Sequence, residues 1–140
     1  MKVNIERIDD NFLMEATGAS GVPVLMDNTS VENVQGTSPM ELLLMGVGGC
    51  SAIDIIHILK KQRQTIDSYS VEIEGETLAL QDAKPFKAMD LKIYLKGNIP
   101  AEKVIRAAAL SFEKYCSVSI TLQKSVDIKY QLYLNGELIF

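Results

Sequence analysis

"SPMELLLMGVGGCSAIDIIHILKK", residues 38–61, is the stretch that decides how this chain folds. It predicts a helix with a clear beginning. Ser38 is a preferred N-cap residue, Pro39 suits the first helical position, and Glu41 follows the serine by three residues, as in a capping box. The lysines at its end suit the negative end of the helix dipole. We therefore expect a helix that runs to residue 61 or 63.

Three glycines interrupt the middle of this predicted helix, at Gly46, Gly48 and Gly49. A glycine inside a helix costs roughly 1 kcal/mol relative to alanine, so together they cost on the order of 2–3 kcal/mol. The uncharged run from Leu42 to Ile53 is apolar on every side, which is typical of a helix buried all round. A chain of 140 residues rarely surrounds one helix completely. We therefore expect a homodimer, in which the glycines admit the backbone of a second copy.

Length and composition indicate one globular domain that spans residues 1–140. The chain is 47% hydrophobic and 23% charged, which excludes a disordered protein. The net charge of −4 disfavours nucleic-acid binding, because a nucleic-acid binder needs a basic face. Charges recur through the N-terminus, unlike a signal peptide, and the uncharged run is shorter than the ~20 residues of a membrane span. We expect a cytoplasmic protein without a membrane or nucleic-acid partner.

Alternating apolar and polar residues predict strands on both sides of the central helix. Pro100 opens a second predicted helix, residues 101–116, whose apolar face ends in Cys116. Asn135-Gly136 predicts a two-residue hairpin. The order βββαββαββ predicts an α+β fold with antiparallel sheets and two main helices. The predicted strands lie within residues 1–8, 12–19, 22–27, 68–78, 87–97 and 126–140, the last forming the hairpin.

Cys50 and Cys116 are the two cysteines of the chain, and each is predicted to point inward from its own helix. In a reducing compartment a buried cysteine is more often an inert apolar residue than a reagent. If the two helices pack together, however, the pair could form and break a disulfide, with one thiol attacking a peroxide and the other resolving it. Both interpretations stay open, because spacing does not tell whether the Cα atoms lie within the necessary 7 Å or so.

A reactive thiolate inside a protein needs a positive group nearby, since burial opposes ionisation. Spacing alone places no arginine or lysine beside Cys50. His57, the only histidine, lies ~10 Å away along the helix, too far for a direct hydrogen bond. Asp54 is one turn from Cys50 but carries a charge of the wrong sign. A zinc site formed by these three residues and Cys116 fits by ligand type, but no closely spaced cysteine pair supports it.

Two segments together resemble the OsmC/Ohr family of osmotically inducible protein C and organic hydroperoxide resistance proteins. They are "SPMELLLMGVGGCSAIDI", which begins at residue 38, and "FEKYCSVSITL", which begins at residue 112. The likeness extends over nearly the whole chain and is closest to the branch of OsmC-like proteins described after YhfA. It implies an intertwined homodimer whose central helices are buried between the subunits, with active sites at the interface.

The resemblance also implies an activity, the thiol-dependent reduction of organic hydroperoxides. By position, Cys50 matches the cysteine that attacks the peroxide and Cys116 the one that resolves it. The implied cycle converts the Cys50 thiolate to a sulfenic acid and then to a Cys50–Cys116 disulfide, which an external dithiol reduces. The resemblance implies no metal or organic cofactor.

Characterised enzymes of the family usually carry a glutamate directly after the proline that opens this helix, where this chain has Met40. Glu41 comes one residue later, rotated by ~100° around the helix axis. These enzymes also use an arginine to stabilise the thiolate, and Arg7 is the only arginine before Cys50. The candidate catalytic residues are therefore Cys50, Cys116, Arg7 and Glu41. The alternatives are a non-catalytic protein that binds small hydrophobic ligands and a structural dimer whose cysteines only pack.

Overall fold

The computed structural model describes all residues from Met1 to Phe140 and divides them into two compact units, residues 1–43 and 44–140. The predicted α+β class is confirmed, and the elements follow the predicted order. The prediction that residues 1–140 form a single domain stays a prediction. The strands are β1 (Asn4–Arg7), β2 (Met14–Thr17), β3 (Pro23–Met26), β4 (Ser68–Thr77), β5 (Phe86–Lys96), β6 (Asp127–Leu134) and β7 (Glu137–Leu138), and the helices are α1 (Pro39–Lys61), α2 (Ala101–Leu110) and α3 (Ser117–Leu122).

The first unit contains a three-stranded antiparallel sheet in the order β1-β2-β3. Pro23 begins the edge strand β3, where its missing N–H costs no sheet hydrogen bond. In the segment after β3, the buried Asp27 carboxylate accepts hydrogen bonds from the backbone N–H groups of Asn28 and Gln35, at 2.8 and 3.0 Å. These bonds satisfy the buried carboxylate and tie together the two ends of the segment between β3 and α1.

The second unit contains a four-stranded sheet in the order β4-β5-β6-β7. Two of its three pairings are antiparallel, as predicted, but β5 and β6 are parallel. The reason is that α2 and α3 occupy the connection between them and return the chain to the end of the sheet where β5 began. The hairpin between β6 and β7 is confirmed, since Asn135 and Gly136 have φ angles of 53° and 88°, as its tight turn requires.

Helix α1 packs one face against this sheet. Alternate residues of β5 point into the same core. The close approach depends on Gly48, because a Cβ at that position would collide with Cδ1 of Ile73 on β4. Gly46 likewise lies against Val118 of α3. The buried residues of α1 are Val47, Gly48, Ser51, Ile55 and Leu59.

The opposite face of α1 is apolar and exposed within one chain. Met45 and Ile53 are 56% and 70% exposed, and no atom lies within 4 Å of the position that a Cβ on Gly49 would occupy. One chain therefore buries α1 along a single face and not all round. Cover by a second copy stays a prediction. By length and composition alone α1 could also cross a membrane, a weak indication because core helices of soluble proteins pass the same test.

The N-terminus of α1 has the predicted capping box. The Ser38 Oγ accepts the backbone N–H of Glu41 at 3.1 Å, and the Glu41 carboxylate accepts the backbone N–H of Ser38 at 2.9 Å. The hydroxyl of Thr37 donates to the same carboxylate oxygen at 2.9 Å. The pKa of Glu41 therefore lies below its ordinary value of 4.5. The largest cause is the hydrogen bond from the backbone of Ser38, and the hydroxyls of Thr37 and Ser38 lower the pKa further.

We predict that Ser38→Ala lowers the free energy of unfolding by about 1 kcal/mol, because one N–H group of the first turn loses its acceptor.

We predict that Glu41→Gln is destabilising at neutral pH, and that its effect depends on pH. The carboxylate contributes fully above its ordinary pKa of 4.5, and the contribution is lost as the pH falls through the lowered pKa of the folded protein.

The measurement is the difference in Tm between wild type and Glu41→Gln across this acid range, where the difference should shrink as the pH falls. Glu102→Gln is the matched control, because Glu102 stands in the first turn of α2, where no side chain caps the helix. A Tm difference that stays constant from neutral pH to a pH at which carboxyl groups are protonated would contradict the stabilising role of the Glu41 carboxylate.

Candidate functional site

The second helical segment differs from the prediction where it approaches Cys116. A continuous helix was expected over residues 101–116, with Cys116 on its apolar face. Instead α2 ends at Leu110 and is followed by a π-helical turn, Ser111–Tyr115, in which the N–H of Cys116 donates to the carbonyl of Ser111 at 2.8 Å. Cys116 itself is extended, with φ −70° and ψ 93°, and caps α3. The wider turn therefore moves the cysteine from a helix face to a junction between helices.

The structure brings the two cysteines together. The Sγ atoms of Cys50 and Cys116 and a carboxylate oxygen of Asp54 all lie within 4.8 Å of one another. Cys50 and Asp54 are one turn apart on α1, so both side chains lie on the same side of that helix. Cys116 is fully buried, while Cys50 and Asp54 are half-buried. One edge of the cluster of Cys50, Asp54 and Cys116, hereafter the thiol cluster, is thus accessible.

Two serines hold the thiol cluster in place. The buried Ser111 hydroxyl donates to the Asp54 carboxylate at 3.1 Å, and its backbone carbonyl accepts from Cys116. The Sγ of Cys116 accepts from the hydroxyl of Ser119 at 3.0 Å and from its backbone N–H at 3.4 Å. The Asp54 carboxylate thus has a donor on the π-helical turn, and the sulfur of Cys116 has two donors on α3.

The pKa of the Cys116 thiol is raised above its ordinary value of 9.0. The largest cause is burial, and the neighbouring Cys50 acts in the same direction. The two hydrogen bonds from Ser119 oppose the shift, since they favour the thiolate. No cationic side chain is among the groups that act on Cys116. In the protein alone, Cys116 is therefore a neutral thiol at physiological pH.

A cleft with a volume of about 560 Å³ adjoins the thiol cluster and shares Asp54 with it. Its walls combine apolar side chains with a few polar and charged groups, as small-molecule sites usually do. The Oε1 atom of Gln62 in this wall is buried and has no hydrogen-bond partner. The lining residues are Asp54, His57, Ile58, Lys61, Gln62, Leu110 and Tyr115.

The other predicted site residues have separate roles in the structure. Arg7 is exposed on β1 and donates from Nε to the carbonyl of Asn11 at 2.9 Å. Glu41 is engaged in the capping box of α1. Both lie in the first compact unit, residues 1–43. His57 lines the cleft and is not a member of the thiol cluster.

Sequence reasoning missed the contributions of Asp54, Ser111 and Ser119. Asp54 was considered as an unfavourable charge beside Cys50 and as one ligand of a zinc site, and not as the partner of a serine, although its position four residues after Cys50 predicts a shared helix face. Ser119 follows Cys116 by three residues, the spacing at which an N-cap side chain accepts a backbone N–H. Ser111 has no comparable signal, because its role depends on the π-helical turn.

Residues 32–131 match the family model described as OsmC-like protein. The chain belongs to the OsmC-like protein family. It is 40% identical over 120 residues to protein YhfA of Escherichia coli strain K12, a match that covers 85% of this chain and 86% of that protein. The resemblance recognised in the sequence is thereby confirmed.

Solved structures of OsmC-like proteins have the same fold. The OsmC-like protein from Mycoplasma pneumoniae superposes with a TM-score of 0.80 at 15% identity, covering 95% of each chain. The organic hydroperoxide resistance protein OhrB of Bacillus subtilis superposes with a TM-score of 0.63 at 21% identity, covering 96% of each chain. At these identities the likeness establishes the α+β architecture of the chain.

We predict that Asp54 and Ser111 are energetically coupled. Asp54→Ala and Ser111→Ala each remove one partner of the same hydrogen bond, so the double variant should lose about 1–2 kcal/mol less than the two single losses added together. Urea unfolding of reduced protein in the presence of a chelator measures all four free energies of unfolding. The matched control pairs Asp54→Ala with Ser125→Ala, whose hydroxyl bonds elsewhere, to the carbonyl of Leu122, and should be additive. Additivity of the Asp54 and Ser111 variants would contradict the coupling.

Proposed function

We propose that the protein is a thiol peroxidase that reduces organic hydroperoxides through Cys50 and Cys116. The observation that carries the proposal is the separation of the two Sγ atoms, which lie within 4.8 Å although the cysteines are 66 positions apart in the sequence. A disulfide has a sulfur–sulfur distance of about 2.05 Å, so the two side chains would have to rotate towards each other to form it. Membership of the OsmC-like family and the fold shared with OhrB of B. subtilis support the same function.

The half-buried Cys50 is the proposed attacking residue, and the buried Cys116 the resolving one. The Cys50 thiolate attacks the distal peroxide oxygen, the O–O bond breaks, and the alkoxide takes up a proton to leave as an alcohol. Cys116 then attacks the sulfur of the Cys50 sulfenic acid, so that an S–S bond forms and water leaves. An external dithiol reduces the disulfide by exchange and is itself oxidised. The net reaction converts one hydroperoxide and one dithiol to an alcohol, water and a disulfide.

The cleft beside Asp54 supports an organic substrate over hydrogen peroxide. Ile58, Leu110 and Tyr115 offer apolar surface to an alkyl or aryl group, within reach of the thiol cluster. Burial of that group would supply binding energy that hydrogen peroxide lacks. The reductant is proposed to be a cytoplasmic dithiol, in keeping with two free cysteines and no disulfide.

Arg7 is the proposed source of positive charge for the Cys50 thiolate. A guanidinium is permanently charged and offers several donors. The hydrogen bond of Arg7 to Asn11 uses Nε alone, which leaves its terminal nitrogens for other partners. The proposed role of Glu41 is to orient this arginine, in addition to its capping of α1.

The homodimer is also part of the proposal. The exposed stripe of Met45, Gly49 and Ile53 runs along one face of α1, and exposure of so continuous an apolar face is unfavourable in water. Gly49 has open space beside it within the chain, so a second helix could approach closely there.

We predict that reduced protein given one equivalent of an organic hydroperoxide loses two hydrogens as the Cys50–Cys116 disulfide forms. The reaction should be roughly tenfold or more faster than with hydrogen peroxide, because the apolar group is bound. Stopped-flow kinetics with intact-mass analysis and disulfide mapping measure the rate and the product. Cys50→Ser should abolish the reaction, and Cys116→Ser should stop it at a sulfenic acid that dimedone traps.

Two arginine variants test the source of charge in the same assay. Arg7→Ala should slow the oxidation of Cys50, whereas Arg106→Ala, which removes an exposed arginine of α2, should leave the rate unchanged. If Arg7→Ala and Arg106→Ala change the rate of Cys50 oxidation equally, Arg7 does not stabilise the Cys50 thiolate. Slow oxidation of both thiols without preference for the organic peroxide would contradict the peroxidase and favour the non-catalytic binding protein.

We predict that Ile53→Glu shifts the protein from dimer to monomer, because it buries a carboxylate in an apolar helix interface. Sedimentation velocity at micromolar concentrations measures the species present. Leu80→Glu is the matched control, since Leu80 is a comparably exposed apolar residue outside α1 and should leave the dimer intact. A monomeric wild type, or equal effects of the two variants, would contradict the proposed interface.

A further inference from the structure

We propose that Cys50, Asp54 and Cys116 bind a thiophilic divalent metal ion, of which zinc is the model, when the two cysteines are reduced. The three donor atoms converge, since each lies within 4.8 Å of the other two. Tetrahedral zinc with Zn–S bonds of about 2.3 Å and Zn–O bonds of about 2.1 Å places its ligand atoms roughly 3.5–3.8 Å apart. Side-chain rotation that draws the donors together by about 1 Å therefore completes three corners of the tetrahedron.

The charges of the thiol cluster favour a cation. The ion pairs of the chain are Lys87 with Glu76 and Lys129 with Asp127, so the Asp54 carboxylate has no ion-pair partner. No cationic side chain is among the groups that act on Cys116 either. A divalent ion would displace the two thiol protons and balance most of the negative charge of two thiolates and one carboxylate.

The surroundings of the donors are those expected around metal ligands. Ser111 donates to the Asp54 carboxylate at 3.1 Å and fixes its orientation. Ser119 donates from its hydroxyl and from its backbone N–H to the sulfur of Cys116, at 3.0 and 3.4 Å. Two donors on one sulfur suit a thiolate better than a thiol, because the thiolate is the stronger acceptor.

The donor set selects the class of metal, and the accessible edge leaves room for a fourth ligand. Two sulfurs and one oxygen favour zinc and other thiophilic ions over magnesium or calcium, which prefer oxygen alone. Cys50 and Asp54 are half-buried, so an ion can enter there and a water molecule can complete its coordination. His57 lies outside the cluster, so the set differs from the Cys50–Asp54–His57–Cys116 site considered from the sequence.

One consequence rests on the proposed peroxidase function. Two metal-bound thiolates, one organic hydroperoxide and two protons give a disulfide, an alcohol and water, and the metal ion is set free. The oxidised sulfurs carry no charge and are poor ligands, so oxidation would release the ion. The thiol cluster would then exchange a metal for a disulfide, and the bound ion would protect the thiols at low peroxide concentrations.

The test uses full-length protein, reduced and stripped of metal under anaerobic conditions. Titration with Co²⁺ should give thiolate-to-cobalt charge-transfer bands and the d–d bands of tetrahedral cobalt, saturating at one ion per chain. Calorimetry with Zn²⁺ should give the same stoichiometry. Asp54→Asn keeps the shape of the side chain and should weaken Zn²⁺ binding by roughly 10-fold or more, since the loss of a group that only supports a ligand already costs this much, whereas Asp90→Asn, an exposed control on β5, should change nothing.

Cys50→Ser and Cys116→Ser should each lose a charge-transfer contribution, and thermal unfolding of every variant shows whether it is folded. Absence of charge-transfer bands in folded wild type, or equal binding by Asp54→Asn and wild type, would overturn the site. One equivalent of organic hydroperoxide added to the zinc-loaded protein should release the ion to a chromophoric chelator. Binding without release would overturn the exchange but not the site. An unreactive metal-free protein would instead overturn the peroxidase.

Discussion

The packing of one face of α1 against the four-stranded sheet is the constraint on which the rest of the structure depends. Gly48 permits this packing, because a Cβ there would collide with Ile73 on β4. Once that face is committed to the core, the direction of every other side chain on α1 follows from the helical repeat. Cys50 and Asp54 then lie at the margin of the buried face, where they are half-covered. The same commitment leaves Met45 and Ile53 exposed on the far side.

The three glycines of α1 have different roles. Gly48 faces the sheet and is explained by its contact with Ile73, whereas a Cβ at Gly46 would meet Val118 of α3 at an ordinary van der Waals distance of 3.6 Å. The contact at Gly46 also brings α3 next to the turn of α1 that precedes Cys50, and Cys116 begins α3. Gly49 alone has no neighbour in the chain, and it lies on the stripe assigned to a second copy. The helical cost of Gly48 is therefore offset by the packing of α1 against the sheet, which also positions the thiol cluster.

The chemistry of the thiol cluster is governed by charge. Burial and the neighbouring thiol raise the pKa of Cys116, and Asp54 adds a carboxylate without a paired cation. A thiolate here needs positive charge from elsewhere, and the two sources we propose are the guanidinium of Arg7 and a bound metal ion. They have opposite consequences, because the arginine would activate Cys50 towards peroxide while the metal ion would hold both sulfurs in reserve.

Much of the fold and half of the candidate site could be predicted from residues alone. The capping box of α1, the edge position of Pro23 and the hairpin at Asn135-Gly136 depend on neighbours in sequence, so local chemistry determined them. The two cysteines could be singled out, but their convergence could not be derived from spacing. That convergence depends on the π-helical turn before Cys116 and on the fit of α1 to the sheet.

The sequence by itself therefore determined the α+β class, the family, the capped beginning of α1 and the approximate positions of the longer strands, because these follow from short-range periodicity and from motifs. Only the tertiary structure decided that β5 and β6 run parallel, that Cys116 caps α3, and that Asp54 joins the two sulfurs. Each of these depends on contacts between residues far apart in the chain, here the path of the chain between β5 and β6 and the packing of α1 beside α3. Such contacts are set by side-chain volume and backbone approach in three dimensions, which no local pattern encodes.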